Sequence, residues 1–212
     1  MNRSQNFCDT THKQYNTSTN HETCDYSETP DIISGTPKRA AESNTRMMNP
    51  KPSLIPIYGT VVDVTTDYFN MQTECISNYN VTVRTEDNQE IHFIIDADTY
   101  FVDCITQEKG VKIVGFYDEL AAIPLIYPPQ YPIKVIALDL PGRFVKADFF
   151  DCYLVSNDNQ LQLVVSNNTY IVDEDGSPYC GNISNKYMVA LYASSTMSIP
   201  AVTTPNVLIV LH

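Results

Sequence analysis

From Gly59 onward, apolar residues fall at every second position in short runs, which is the period of a half-buried strand. Gly59 to Val64 opens this pattern, and Asn80 to Arg84 continues it. Glu86-Asp87-Asn88-Gln89 supplies turn residues, after which Ile91, Phe93 and Ile95 share one face of a returning strand. That combination predicts a hairpin. Val111 to Tyr117 and Ile133 to Leu138 predict a fourth and a fifth strand, with Ala97 to Lys109 as an irregular connection and Pro124, Pro128, Pro129 and Pro132 breaking the interval between them.

The same order of signals then returns. Phe144-Val145, Tyr153-Leu154-Val155, Leu161/Leu163/Val165, Val189 to Tyr192 and Val207 to Leu211 follow one another as the first five runs do. The plainest match joins DNQEIHFIIDADTYFVD, from Asp87 to Asp103, with DNQLQLVVSNNTYIVD, from Asp158 to Asp173. Each has a polar turn, an alternating run and a Thr-Tyr-x-Val-Asp end. Gly142 stands opposite Gly59 in this comparison. Two copies are too few for a stacked array, so the pattern predicts two small domains.

Five short strands per copy, a glycine in the first and an irregular connector between the third and fourth resemble tandem OB-like small β-barrel repeat proteins of the kind found in low-GC Gram-positive bacteria. The resemblance covers about residues 55–138 and 142–212. It implies an all-β chain with two tandem five-stranded OB-like barrels, at 54–140 and 141–212. A five-to-seven-strand sandwich would carry nearly the same pattern.

Residues 1–53 differ in kind. They are rich in Asn, Thr, Ser and Gln and poor in large apolar side chains. Such a segment buries too little to offset ordering entropy, so a disordered tail is expected. Pro50, Pro52 and Pro56 suit an extended linker at its end. The tail holds Cys8, Cys24, His12 and His21, but CDTTH…HETC matches no common zinc spacing. No apolar core of a secretory signal is present at the N-terminus, so a cytoplasmic location is the default expectation, with a spore or cell surface as the other.

Charge narrows the partners. The net charge is -12 from 13 basic and 25 acidic residues. Residues 1–51 carry six of each, leaving seven basic against nineteen acidic in the rest. A body this acidic repels phosphate backbones, which argues against nucleic acid. No apolar run reaches the ~20 residues of a spanning helix.

Candidate chemistry is sparse. Asp98 and Asp103, with Asp96 nearby, could act as acid and base, but the counterparts are Asn168 and Asp173, with Ser166, so turn formation accounts for them better. Asp173 to Ser177 lacks a ligand at Ile171 for a calcium loop. His92 is the only histidine inside a predicted domain apart from His212, and no nucleophile elbow, phosphate loop or dinucleotide fingerprint occurs. The aromatic surface is richer. Tyr100, Tyr170, Tyr117 and Tyr192 are candidate binding residues. Cys75 and Cys104, and Cys152 and Cys180, lie 29 and 28 positions apart and could pair as disulfides, while Cys8 and Cys24 could cross-link.

These features predict a non-enzymatic binding or interaction module without metal or cofactor, meeting a protein partner, a second copy or a carbohydrate. A self-assembling surface protein that uses the N-terminal arm is the alternative, and a carboxylate-dependent hydrolase a more distant one.

Overall fold

The computed structural model describes residues 51–67, 78–104 and 109–212. Residues 1–50 of the expected disordered tail, with Cys8, Cys24, His12 and His21, lie outside them, as does Cys75, whereas residues 51–53 of that expected tail are held on the C-terminal half, with Ser53 buried. The described chain is all-β. Its strands are β1 (Leu54–Asp67), β2 (Asn78–Arg84), β3 (Glu90–Ile95), β4 (Tyr100–Phe101), β5 (Lys112–Asp118), β6 (Gln130–Leu138), β7 (Phe144–Phe150), β8 (Leu161–Leu163), β9 (Tyr170–Asp173), β10 (Lys186–Tyr192), β11 (Ala201–Thr203) and β12 (Val207–Val210).

In the N-terminal half, antiparallel ladders join β3 to β2, β2 to β1, β1 to β5 and β5 to β6. A short parallel ladder of three residue pairs, His92 to Ile94 against Gln130 to Pro132, then links β3 to β6. β4 adds to β6 in parallel. The C-terminal half divides differently. β7, β10, β12 and β9 form one four-stranded sheet, and β8 and β11 form a separate parallel pair.

The expectation of two tandem five-stranded OB-like barrels is corrected by this arrangement. The C-terminal strands do not close one five-stranded circuit, and the halves do not bury separate cores alone. Four parallel ladders set His92, Tyr100, Leu161 and Tyr170 beside Gln130, Val135, Ala201 and Val207, each 35 to 40 positions later. They give the chain a coiled, solenoid-like course. Sequence patterning could not separate these outcomes, because it identifies strands and not their partners.

Two strand expectations also change. Tyr153 to Val155 is not a strand. Asp151 Oδ1 accepts the N–H groups of Tyr153 and Val155 (both 2.9 Å), and Leu154 turns to φ 57°, which leaves only isolated bridges there. Gly142 is no counterpart of Gly59. It lies at φ +76° in the turn before β7, whereas Gly59 is within β1, where an added Cβ would sit 2.4 Å from Val83.

Burial explains the apolar runs. β5, β6, β10 and β12 bury both faces, so they read as nearly continuous hydrophobic stretches. On one side of β5, Ile113 packs with Val83, Phe93 and Ile136. On its other side, Val114 and Phe116 join a layer that also holds Val135, Val145, Ala147, Val189 and Ile209. Met188, Ala190, Leu208 and Val210 turn from β10 and β12 into a third cluster around Phe150. The middle layer therefore draws side chains from both halves. Gly115 lets β5 approach Phe93, whose ring would lie 2.6 Å from an added Cβ.

The two Thr-Tyr turns are built alike. Asp96 Oδ1 accepts the Asp98 N–H, and Ser166 Oγ accepts the Asn168 N–H. Thr99 Oγ1 accepts the Asp96 N–H and donates to Ile133 O at 2.7 Å. Thr169 Oγ1 accepts the Ser166 N–H and donates to Pro205 O at 2.8 Å. Each hydroxyl is buried and ties its turn to the backbone more than 30 positions later, on β6 for Thr99 and just before β12 for Thr169. Replacing either Thr99 or Thr169 by Val keeps the shape and leaves a buried carbonyl without its donor. Each change is expected to cost about 1–3 kcal/mol, measured by urea unfolding, whereas Asp98→Asn at the exposed tip of the first turn should cost under ~0.5 kcal/mol.

Candidate binding cleft between the two halves

A surface cleft opens where the halves meet. Tyr58 on β1, Val114 on β5, the connector Asp139 to Arg143, and Phe144 and Val145 on β7 line it, with Glu86 reaching in from the β2–β3 turn. Its volume is about 440 Å³, within the size range of small-molecule and side-chain sites. Strand geometry sets the walls. Val114 and Val145 belong to the shared core layer and form the floor. Tyr58, Leu140 and Phe144 are exposed beside them.

Phe144 stacks on Tyr192, with ring centroids 5.5 Å apart and planes at 25°. The pairing of β7 with β10 sets these residues directly opposite each other. Burial raises the Tyr58 phenol above its usual range, and the nearby Asp139 carboxylate raises it further. Burial also raises Tyr192, with Tyr58 contributing.

Arg143 forms the polar corner. Nη1 and Nη2 donate to the two oxygens of Asp103 at 2.7 Å, and Nη2 also donates to Leu138 O at 2.7 Å. Asp103 accepts the Leu138 N–H as well, at 2.8 Å. The Asp103 carboxylate holds the Arg143 guanidinium above its ordinary value. The buried Nε of Arg143 has no acceptor among the described residues.

The expected tyrosines fall in different settings. Tyr192 meets the cleft through Phe144. Tyr117 packs on Tyr131 at 5.0 Å and on the N-terminal core. Tyr170 stands on β9 with half its surface exposed. Tyr100 packs against the shared layer and donates to Glu174 O at 3.3 Å. Burial, with Glu174, Asp103, Asp173 and Asp175 around it, pushes its phenol up to about 12.

The carboxylates expected in a remote catalytic role are engaged in turns and ion pairs. Asp96 caps its turn, Asp103 is held by Arg143, and Asp173 meets His212 Nε2 at 2.8 Å. Asp173 to Ser177 is a tight turn in which Ser177 N–H donates to Asp175 and Gly176 N–H to Asp173 O. Among the described residues, no group of three or more His, Cys, Asp or Glu side chains is placed to hold a metal ion. His92 sits on β3, its N–H donated to Pro129 O.

Cys152 and Cys180 are not disulfide-bonded to each other, contrary to the pairing expected from their spacing. The Cys180 thiol points back at the Pro178 carbonyl of its own turn. Cys104 is disulfide-bonded, and its partner lies outside the described residues.

Sequence reasoning missed Tyr58, Phe144, Glu86 and Asp139. A strand pattern marks Tyr58 and Phe144 as ordinary alternating residues, and only the packing of the halves brings them together. Two loop tips were also missed. Leu125 and Met197 are fully exposed, with Tyr127 and Ile199 nearly so. Contiguous exposed apolar groups of this kind mark contact surfaces.

Comparison with protein-family models, with curated proteins and with solved structures returns no match.

The raised phenols have a checkable consequence. Unfolded tyrosine titrates near 10, whereas Tyr100 and Tyr187 are held up to about 12 in the folded chain. Their contribution to stability is complete below pH 10 and is lost as pH rises through about 12. Absorbance titration at alkaline pH should show late-titrating phenols whose number falls by one in Tyr100→Phe, and that variant should lose less stability between pH 10 and 12 than the parent.

Proposed function

We propose that the protein is a non-enzymatic binding module that meets a partner protein in the cleft between its halves. One observation carries this reading: a cleft at the margin of the shared core is lined by Val114, Leu140, Pro141 and Val145 together with two exposed aromatic rings and the carboxylates of Glu86 and Asp139. Aromatic walls with a few polar groups are the usual make-up of a recognition site. Carbohydrate fits the same walls, because a sugar ring stacks on an aromatic face and its hydroxyls take carboxylate acceptors.

Backbone NMR of the full chain, screened against short peptides and neutral oligosaccharides, tests the site. Shifts should gather at Tyr58, Leu140 and Phe144, and Phe144→Ala should abolish them while leaving the remaining spectrum in place. Binding that leaves these residues unmoved would move the function elsewhere.

The disulfide at Cys104 favours a second reading, a structural protein of a cell or spore surface, because stable disulfides belong to oxidising compartments. In that setting Cys8 and Cys24 would link neighbouring copies. Non-reducing gels of protein purified without reductant should then show oligomers that disappear in Cys8→Ser with Cys24→Ser. A monomer under those conditions sets this second reading aside.

A further inference from the structure

The charges around the cleft are not balanced. Arg143 is the only cation among the lining residues, and both its terminal nitrogens are taken by Asp103 and Leu138 O. Glu86 and Asp139 line the same cleft, and neither forms an ion pair among the described residues. Asp139 acts on the Arg143 guanidinium through space, but with Arg143 bonded to Asp103 and Leu138 O the cleft keeps an excess of negative charge, two lining carboxylates outside any ion pair beside two exposed aromatic rings. Val114, Leu140, Pro141 and Val145 supply an apolar surface between them.

Resting on the reading of this cleft as a binding site, we propose that its ligand is a cationic side chain, a lysine or arginine presented by a segment of a partner protein. Each part of such a side chain has a matching surface. The methylene stem lies on the apolar floor, as long basic side chains do when they cross apolar ground. The charged head lies over the Tyr58 or Phe144 ring, where the negative face of the π system attracts it. Glu86 and Asp139 complete the charge. The excess of nineteen acidic over seven basic residues beyond position 51 draws a basic segment toward the body and repels nucleic acid.

The test uses the full-length chain and N-acetyl-Gly-Arg-Gly-amide, with the matched Lys, Glu and Gln tripeptides and maltotetraose, followed by NMR at about 0.15 M salt. The Arg and Lys tripeptides should shift Tyr58, Leu140 and Phe144, and the Glu and Gln tripeptides should not. Glu86→Gln with Asp139→Asn should weaken Arg binding about tenfold. Asp98→Asn with Glu119→Gln removes the same charge away from the cleft and should weaken it less than about twofold. Equal weakening by both pairs would reduce the effect to net charge and overturn the proposal. Binding of maltotetraose or the Gln tripeptide that Phe144→Ala abolishes, without binding of the basic probes, would keep the cleft and overturn its cationic ligand. If no probe moves Tyr58, Leu140 and Phe144, both the proposal and the reading of the cleft fall.

Discussion

The middle apolar layer governs the rest of the structure. Val114, Phe116, Val135 and Ala137 come to it from one half, and Val145, Ala147, Val189 and Ile209 from the other. Burying one such side chain contributes about 1.5–3 kcal/mol. Four or more from each side therefore bind the halves far more firmly than a flexible linker would. The same layer explains why β5, β6, β10 and β12 are apolar on both faces. Each has a core of its own half on one side and the shared layer on the other. Polar contacts at the margins follow this packing. Leu54 donates to the fully buried Asp148, Asn157 donates to Lys51 O and Ser53 Oγ, and Tyr187 donates to Pro52 O. The start of β1 is thereby fixed on the C-terminal half.

The cleft is a consequence of that layer and not an addition to it. At the margin of the shared core, Val114 on β5 and Val145 on β7 belong both to the layer and to the lining of the cleft. Tyr58 stands opposite Val114 in the pairing of β1 with β5 and shares its face at the exposed margin of the layer, and Phe144 precedes Val145 at the start of β7. The ion pair of Arg143 with Asp103 fixes the connector that forms the third wall. A bidentate guanidinium–carboxylate pair is geometrically strict, and the Leu138 N–H and carbonyl tie both partners to the end of β6. The walls are thus held by a packed layer on one side and a charged clamp on another, which keeps the cleft open.

Strand positions were largely legible in the sequence because burial on one or both faces leaves a local trace. Ile91, Phe93 and Ile95 all lie inward on β3, as their spacing indicates. The turn at Glu86 to Gln89 is also local, with Asn88 in the left-handed region that asparagine tolerates. Pairing was not legible. Short parallel ladders such as β8 with β11 join segments 40 positions apart and leave no periodic signal in either. The cleft shares that limit. Tyr58 and Phe144 are 86 positions apart, and nothing in either stretch refers to the other. Of the tyrosines marked as candidates, only Tyr192 reached the cleft, through the register of β10 on β7 that no pattern could fix.

The repeated stretch, with its Thr, Tyr and final Asp, shows how recurrence and chemistry separate. Thr99 and Thr169 recur because a buried hydroxyl closes each turn onto a distant strand. The closing Asp recurs with a different partner each time, Arg143 for Asp103 and His212 for Asp173. A carboxylate kept for proton transfer would need a matched second group in both copies, and here Asp98 is answered by Asn168. A carboxylate kept to anchor the residues that follow the last strand needs only some hydrogen-bonding side chain within reach, and both copies meet that weaker demand. The first copy's anchor also sets Arg143 in the cleft wall with its charge already spent. The folding role of Asp103 therefore keeps Glu86 and Asp139 out of any ion pair among the described residues, with Asp139 acting on the guanidinium only through space.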